Sequence, residues 1–259
     1  MKLSIRSMLD YSFERPTDVL LQVEAAMIPE QFVEAAHIDV IPRDHFARVA
    51  AQDNIGERIW VRAEGRMTVN YSATVAIQRK VADCGQLPQI EFRNLPGETI
   101  QYLMGSRYCP SDEFQTFVEA EFGKYRGGGR IVAMRDWIQN SFTYVPGVSN
   151  SETTALDTFV RRQGICRDYA HVMITLARAS GIPARIASVY APGVDPPDFH
   201  AVAEVFLGGE WHLVDATGMA HESAMAKIGV GRDAADVSFM TSYGFASFNA
   251  QSVEVTEAR

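Results

Sequence analysis

From Met1 to about Arg93, apolar and polar positions alternate in short runs at Leu3 to Phe13, Asp18 to Met27, Phe32 to Ile41, Arg58 to Ala63 and Met67 to Gln78. A period of two marks strands with one buried face. Pro16, Pro29-Glu30, Pro42-Arg43-Asp44, Asp53 to Gly56 and Glu64-Gly65 fall between the runs, as turn residues do between antiparallel strands. The pattern predicts an all-β N-terminal domain over 1–95, a sandwich or meander. His37 and His45 stand alone on strand-like segments and read as structural or solvent-facing. The domain either shapes a substrate cleft or docks a partner along an uncovered edge.

Leu95-Pro96-Gly97 and Tyr108-Cys109-Pro110 bracket a linker, after which the apolar period lengthens to that of a helix. Residues 96–259 are expected to form a catalytic domain, and the whole an α+β fold. Ser111-Asp112 reads as the cap of a helix that carries Phe114, Phe117, Val118 and Phe122 on one face. Gly127-Gly128-Gly129 reads as a flexible connection, because the Lys-Ser/Thr of a phosphate-binding loop is missing. A helix over 130–142 buries Ile131, Met134, Trp137 and Ile138, and Thr143 to Gly147 ends it. Thr153-Thr154 caps a further helix through Ala155, Leu156, Phe159 and Val160.

Gly164 to Tyr190 is the centre of the chemistry. Cys166 starts a helix whose apolar face is Ala170, Met173, Ile174 and Ala177, with Gly181 and Pro183 as its stop. At a helix N-terminus the unsatisfied N–H groups favour a thiolate. Asp198-Phe199-His200 leads into the alternating strand Ala201 to Leu207, Gly208-Gly209 turns it, and Glu210 to Thr217 returns. Antiparallel pairing around that turn puts His200 opposite the end of the return strand, in the neighbourhood of Asp215. Cysteine, histidine and aspartate are the nucleophile, base and orienter of acyl transfer. Asp168 reads as a first-turn carboxylate suited to the helix dipole, with a second use in holding Arg185 or another nearby arginine. His171 and His212 rank behind His200 as the base, and His221 reads as a surface histidine first and a substrate contact second.

The blocks Gly164 to His171, Gly181 to Arg185, Phe199 to Val205 and Trp211 to Thr217, in this order, resemble the transglutaminase-like superfamily, over roughly Tyr102 to Met219. The resemblance implies a papain-like core in which the nucleophile helix packs on an antiparallel sheet. It also implies Cys166 as nucleophile, His200 as general base and Asp215 as its partner. Bacterial members often carry the name cysteine protease, which describes the site better than the substrate. Relatives that cross-link proteins have a tryptophan ahead of the nucleophile; here that region holds Thr153 and Thr154, which speaks against glutamine-specific cross-linking. Similar proteins carry a block like Tyr102 to Cys109, so Tyr102 or Arg107 either reaches the active-site region or packs the domain junction.

Composition narrows the reading. A formal charge of −8 disfavours a nucleic-acid or anionic-membrane binder, and no apolar run reaches the length of a membrane span. The first residues alternate and carry charges, unlike a signal peptide, so the cytoplasm is the expected setting. Three cysteines at irregular spacing suit neither a disulfide framework nor a zinc site. Cys84 and Cys109 read as small buried hydrophobes, and no metal or cofactor is expected. The expected function is a cysteine peptidase or amidase acting on a peptide or protein. An amine acyltransferase and a non-catalytic scaffold are the alternatives. Phe239 to Ala246 and Ser247 to Val255 are expected to close the chain as two strands.

Overall fold

A computed structural model describes residues 1–42 and 44–258; Arg43, placed by its sequence in a turn, lies outside the described residues. Four strands open the chain: β1 (Lys2–Leu21), β2 (Gln31–Ile41), β3 (Phe46–Ala50) and β4 (Glu57–Ile77). The runs that the sequence separates at Pro16 and at Gly65 are each one continuous strand. Pairing of β1 with β4 shifts register between Phe13 and Thr17, opposite Gly65, which takes a φ of +70°. A proline needs no ladder bond inside a bulge, and a glycine there bends without strain, so both residues kink the strands and end neither. Residues 22–27, predicted as a continuation of a strand, lie beyond β1.

The second half supplies α1 (Gln115–Phe122), α2 (Gly127–Ser141), β5 (Thr143–Tyr144), α3 (Ala155–Arg161), β6 (Gln163–Gly164) and α4 (Cys166–Ala179). β7 (Ala184–Tyr190), β8 (His200–Leu207), β9 (Glu210–Val214), β10 (Ala226–Gly231), β11 (Met240–Ser242) and β12 (Ser247–Glu257) follow. β10, β7, β8 and β9 form an antiparallel sheet in that order, against which α4 packs. The two closing strands are present, and both pair with β1. The sheet begun by the first strands is thus completed from the far end of the chain. Its buried face, with Leu3, Ile5, Leu9, Val61 and Met67, packs on Tyr190, Phe199, Ala226 and Ile228 from the second half.

The helices depart from their predicted form in three places. Ser111 caps nothing; residues 111–114 form a tight 3-10 turn in which the Pro110 carbonyl accepts from the Glu113 N–H, and α1 starts after it. The triple glycine is the first turn of α2, not a flexible connection: the Gly128 N–H donates to the Leu87 carbonyl at 2.8 Å, and a Cβ on Gly128 would lie 1.6 Å from the Cys84 carbonyl oxygen. Helix α4 is buried from Asp168 to Arg178 without a break, so its polar residues Asp168, His171, Thr175 and Arg178 face protein and not solvent. It ends as predicted. Gly181, at φ +76°, donates to the Arg178 carbonyl and Ile182 to that of Ala177, the paired bonds of a Schellman turn. Thr154 caps α3 reciprocally with Asp157.

Tyr102 and Arg107 stay at the junction, away from Cys166. The Tyr102 hydroxyl donates to Asp53 at 2.6 Å and its ring meets Trp211 edge-on, while Arg107 lies over Tyr108. Arg185 pairs with Asp53 at 2.8 Å and Glu204 at 2.6 Å, not with Asp168; Lys227 bridges Glu204 to Glu30.

Close backbone approach makes Gly128 and Gly129, two of the three glycines of α2, respond oppositely to alanine. Gly128→Ala must push the Cys84 loop aside and is expected to destabilise the protein by about 1–3 kcal/mol. At Gly129 the nearest atom to an added Cβ is 3.7 Å away. Gly129→Ala is therefore expected to stabilise by about 0.5 kcal/mol through helix propensity, both read from urea unfolding midpoints.

Candidate active site

Cys166 is the first residue of α4, and the turn before it explains why the helix begins there. The Ile165 N–H donates to Asp168 Oδ2 at 2.8 Å, so a fully buried carboxylate closes the helix start from below. Gly164 has to be glycine, since a Cβ would stand 2.7 Å from that of Asp168. Asp168 is thus a cap, and the Arg167 guanidinium, 3.6 Å from its other oxygen, is the nearest cation to it.

His200 is the first residue of β8, and the hairpin register pairs Ala203 with Val214. Asp215 follows immediately, and His200 Nε2 lies 2.9 Å from its Oδ2, both side chains being buried. Asp215 also accepts from the Thr217 N–H at 2.8 Å, the Thr217 hydroxyl at 2.7 Å and the Ala220 N–H at 3.0 Å. Burial works against its charge, but these donors together hold its carboxyl below the ordinary value. Burial likewise opposes a charged His200; hydrogen bonding to Asp215 and the neighbouring Cys166 outweigh it, and the imidazole is raised to about 10. His200 Nδ1 makes no hydrogen bond. Cys166 is the thiol beside that ring, its Sγ 4.0 Å from the carbonyl oxygen of Phe199, the preceding residue.

Cys166, His200 and Asp215 therefore lie together although they are spread over fifty positions, and a fourth residue stands beside them. β5 pairs with β6 in parallel, Tyr144 opposite Gly164, and the Val145 N–H donates to the Gly164 carbonyl at 3.0 Å. This short pairing places Tyr144 beside Cys166 on the cleft wall, and burial pushes the phenol above its ordinary pKa. The sequence reading took Thr143 to Gly147 only as a helix stop. The run Phe142-Thr143-Tyr144-Val145 before Pro146 is itself a strand signal, and two such residues suffice to place a side chain.

The other candidates lie elsewhere. His171 is buried under Tyr108, its Nε2 accepts from the Ala234 N–H at 3.1 Å, and burial lowers it to about 3. His221 bonds Ser223, and His37 and His45 are exposed. Burial pushes Cys84 up to about 11 and Cys109 up to about 12, so both are poor thiolates. Among the described residues no group of three His, Cys, Asp or Glu is placed to hold a metal ion. Cys166, His200 and Tyr144 open into a cleft of about 380 Å³ whose walls include Asp198, Phe199, Phe239 and Met240.

The family model described as Transglutaminase-like superfamily matches residues 118–216, from α1 to just past Asp215. A solved structure from Cytophaga hutchinsonii, named "Putative Cysteine Protease", is 36% identical, covers 99% of this chain and 90% of its own, and superposes with a TM-score of 0.94. The chain belongs to the transglutaminase-like superfamily. A protein from Mycobacterium leprae (strain TN) named "Uncharacterized protein ML0607" is 30% identical over 115 residues, 41% of this chain and 41% of its own length. The periplasmic domain of TgpA from Pseudomonas aeruginosa, bound to ethylmercury, is 18% identical over 82% of this chain and 76% of its own, with a TM-score of 0.43. The superfamily match ends one residue beyond Asp215, so β10, β11 and β12 lie outside it. No helix among the described residues is long and apolar enough to cross a membrane.

The raised His200 value has a checkable sign. A folded-state pKa above the ordinary one stabilises the fold fully below about pH 6.5 and loses that contribution as pH rises through about 10. In histidine-labelled protein followed by NMR, one imidazole is expected to titrate near 10. Asp215→Asn is expected to lower that pKa and to cost stability mostly on the acid side. An unchanged titration in the variant would show that Asp215 does not hold the charge.

Proposed function

We propose that this protein is a cysteine-dependent acyl-transfer enzyme, a peptidase or amidase that cleaves peptide or isopeptide bonds through a thioacyl-enzyme. The observation that carries the reading is the His200 ring, tied at Nε2 to Asp215 and free at Nδ1 on the side of Cys166. An imidazolium in that position stabilises a thiolate and holds the proton the leaving group needs.

In this reading the Cys166 sulfur attacks the amide carbon and a C–S bond forms. The carbonyl oxygen becomes an oxyanion between the Cys166 N–H and the Tyr144 hydroxyl, each donating to it. Collapse breaks the C–N bond as the imidazolium passes its proton to the departing amine. Neutral His200 then takes a proton from water, the hydroxide attacks the thioester, and breaking of the C–S bond returns thiolate and imidazolium. Asp215 keeps the ring in place and supports its charge throughout. Tyr144 is the second donor that a tryptophan supplies in cross-linking relatives, so the missing tryptophan leaves the chemistry complete.

Incubation with a glutamine-containing protein and a labelled amine, with products read by mass spectrometry, separates the outcomes. Free peptide or acid without label is expected; label joined to the protein would establish transamidation instead. Cys166→Ala is expected to abolish turnover with the circular dichroism unchanged, whereas Cys84→Ala and Cys109→Ala retain it. Tyr144→Phe is expected to lower kcat by about 10²-fold, the usual loss for one oxyanion donor. Equal loss from all three cysteine variants would remove Cys166 from its role.

A further inference from the structure

The cleft beside Cys166 holds a second carboxylate that the acyl-transfer steps leave unused. Asp198 stands two residues before His200 on the cleft wall. Its Oδ1 accepts from the Phe199 N–H at 2.7 Å and from the Gln251 side-chain amide of β12, so the group is built into place from two directions. Among the described residues it forms no ion pair. His200 directs its charge to Asp215, and Arg167 is turned toward the Asn150 carbonyl at 2.9 Å and the buried Asp168. Burial raises the pKa of Asp198, and the donors that lower it are mainly neutral ones. Next to it the Phe199 ring stacks on Phe239 at 4.9 Å and 8°, giving the same wall an aromatic surface.

A carboxylate without a cation, set beside an apolar wall in a cleft, is an arrangement that takes an organic ammonium group by charge and hydrogen bonding. We propose that Asp198 is a specificity-determining residue that receives an ammonium group of the substrate, so that the enzyme acts on acyl compounds carrying a free amine close to the scissile bond. This rests on Cys166 being the reacting thiol. Both a peptide α-ammonium and a lysine ε-ammonium have the required chemistry.

Methanethiosulfonates of opposite charge, with a neutral one as reference, test the site, because each transfers its thioalkyl group to a thiolate and releases methanesulfinate. Rates at Cys166 are read by mass spectrometry for the trimethylammonium-ethyl, sulfonato-ethyl and methyl reagents. The cationic reagent is expected to outrun the anionic one, with the ratio falling about tenfold in Asp198→Asn and returning in Asp198→Glu. Asparagine keeps the acceptor for Phe199 and Gln251, so the neutral reagent should react within about twofold in every variant. An unchanged ratio in Asp198→Asn overturns the proposal. A Cys166 inert to the neutral reagent overturns the acyl-transfer reading instead, and binding then decides for Asp198. In Cys166→Ala protein, NMR titration with alanyl-alanine amide, Nα-acetyl-lysine amide and acetyl-alanyl-alanine amide is expected to show binding of one or both ammonium probes and loss of that binding in Asp198→Asn. The first two probes distinguish an α- from an ε-ammonium. Equal affinity for all three probes overturns the ammonium site.

Discussion

A helix enclosed on every side has to find partners inside the protein for the polar groups it carries, and α4 shows how this constraint places the site. Asp168 serves the Ile165 N–H and so fixes where the helix starts. Because that cap is buried and rigid, Cys166 is held at the one turn where main-chain N–H groups are open to a substrate. At the other end Arg178 donates to the carbonyls of Ala184, Met104 and Arg232 and to the Ser106 hydroxyl. One guanidinium thus ties β7, the linker and the loop after β10 to the helix that carries the thiol.

The second constraint is Glu204, in the middle of β8 and without solvent exposure. Such a carboxylate stays charged only with close cations, and Arg185 opposite it on β7 and Lys227 from β10 hold it well below the ordinary carboxylate range against the burial that opposes this. The same cations reach Asp53, in the turn between β3 and β4, and Glu30, in the turn before β2. The strand that presents His200 is therefore anchored to both sheets four residues further on. Displacing either sheet would leave a buried charge unpaired, a cost of several kcal/mol.

The placement of the candidate site residues was legible in the chain where it depends on short-range rules. A glycine-bounded helix start gives the position of Cys166, and a two-glycine hairpin brings His200 to Asp215 once the register is counted. Partners set by distant contacts were not legible. Glu204 reads as an ordinary alternating strand position until Lys227 and Arg185 are seen around it, and Arg185 looks free to pair with Asp168. Pro16 and Gly65 carry the local signature of turns, yet they fall at one bulge, Gly65 opposite Phe13 and Pro16 in the unpaired stretch that follows, which only cross-strand pairing reveals. The triple glycine suggests slack where the real cause is the Cys84 carbonyl pressed against the helix.

Pairing of the last strands with β1 also changes what the large sheet does. The Gln22 N–H at the end of β1 donates to the Phe239 carbonyl at 2.9 Å, and β12 sends Gln251 to Asp198. Phe239 and Asp198 both line the cleft, so one of its walls is hung on this sheet while the thiol belongs to the helical core. Side chains along a strand alternate between faces. A slip of β12 by one residue would turn Gln251 away from Asp198 and leave that carboxylate unsupported. Ten aligned residue pairs between β1 and β12 oppose such a slip. The long sheet thereby acts as a ruler for the cleft, setting how far its wall stands from Cys166.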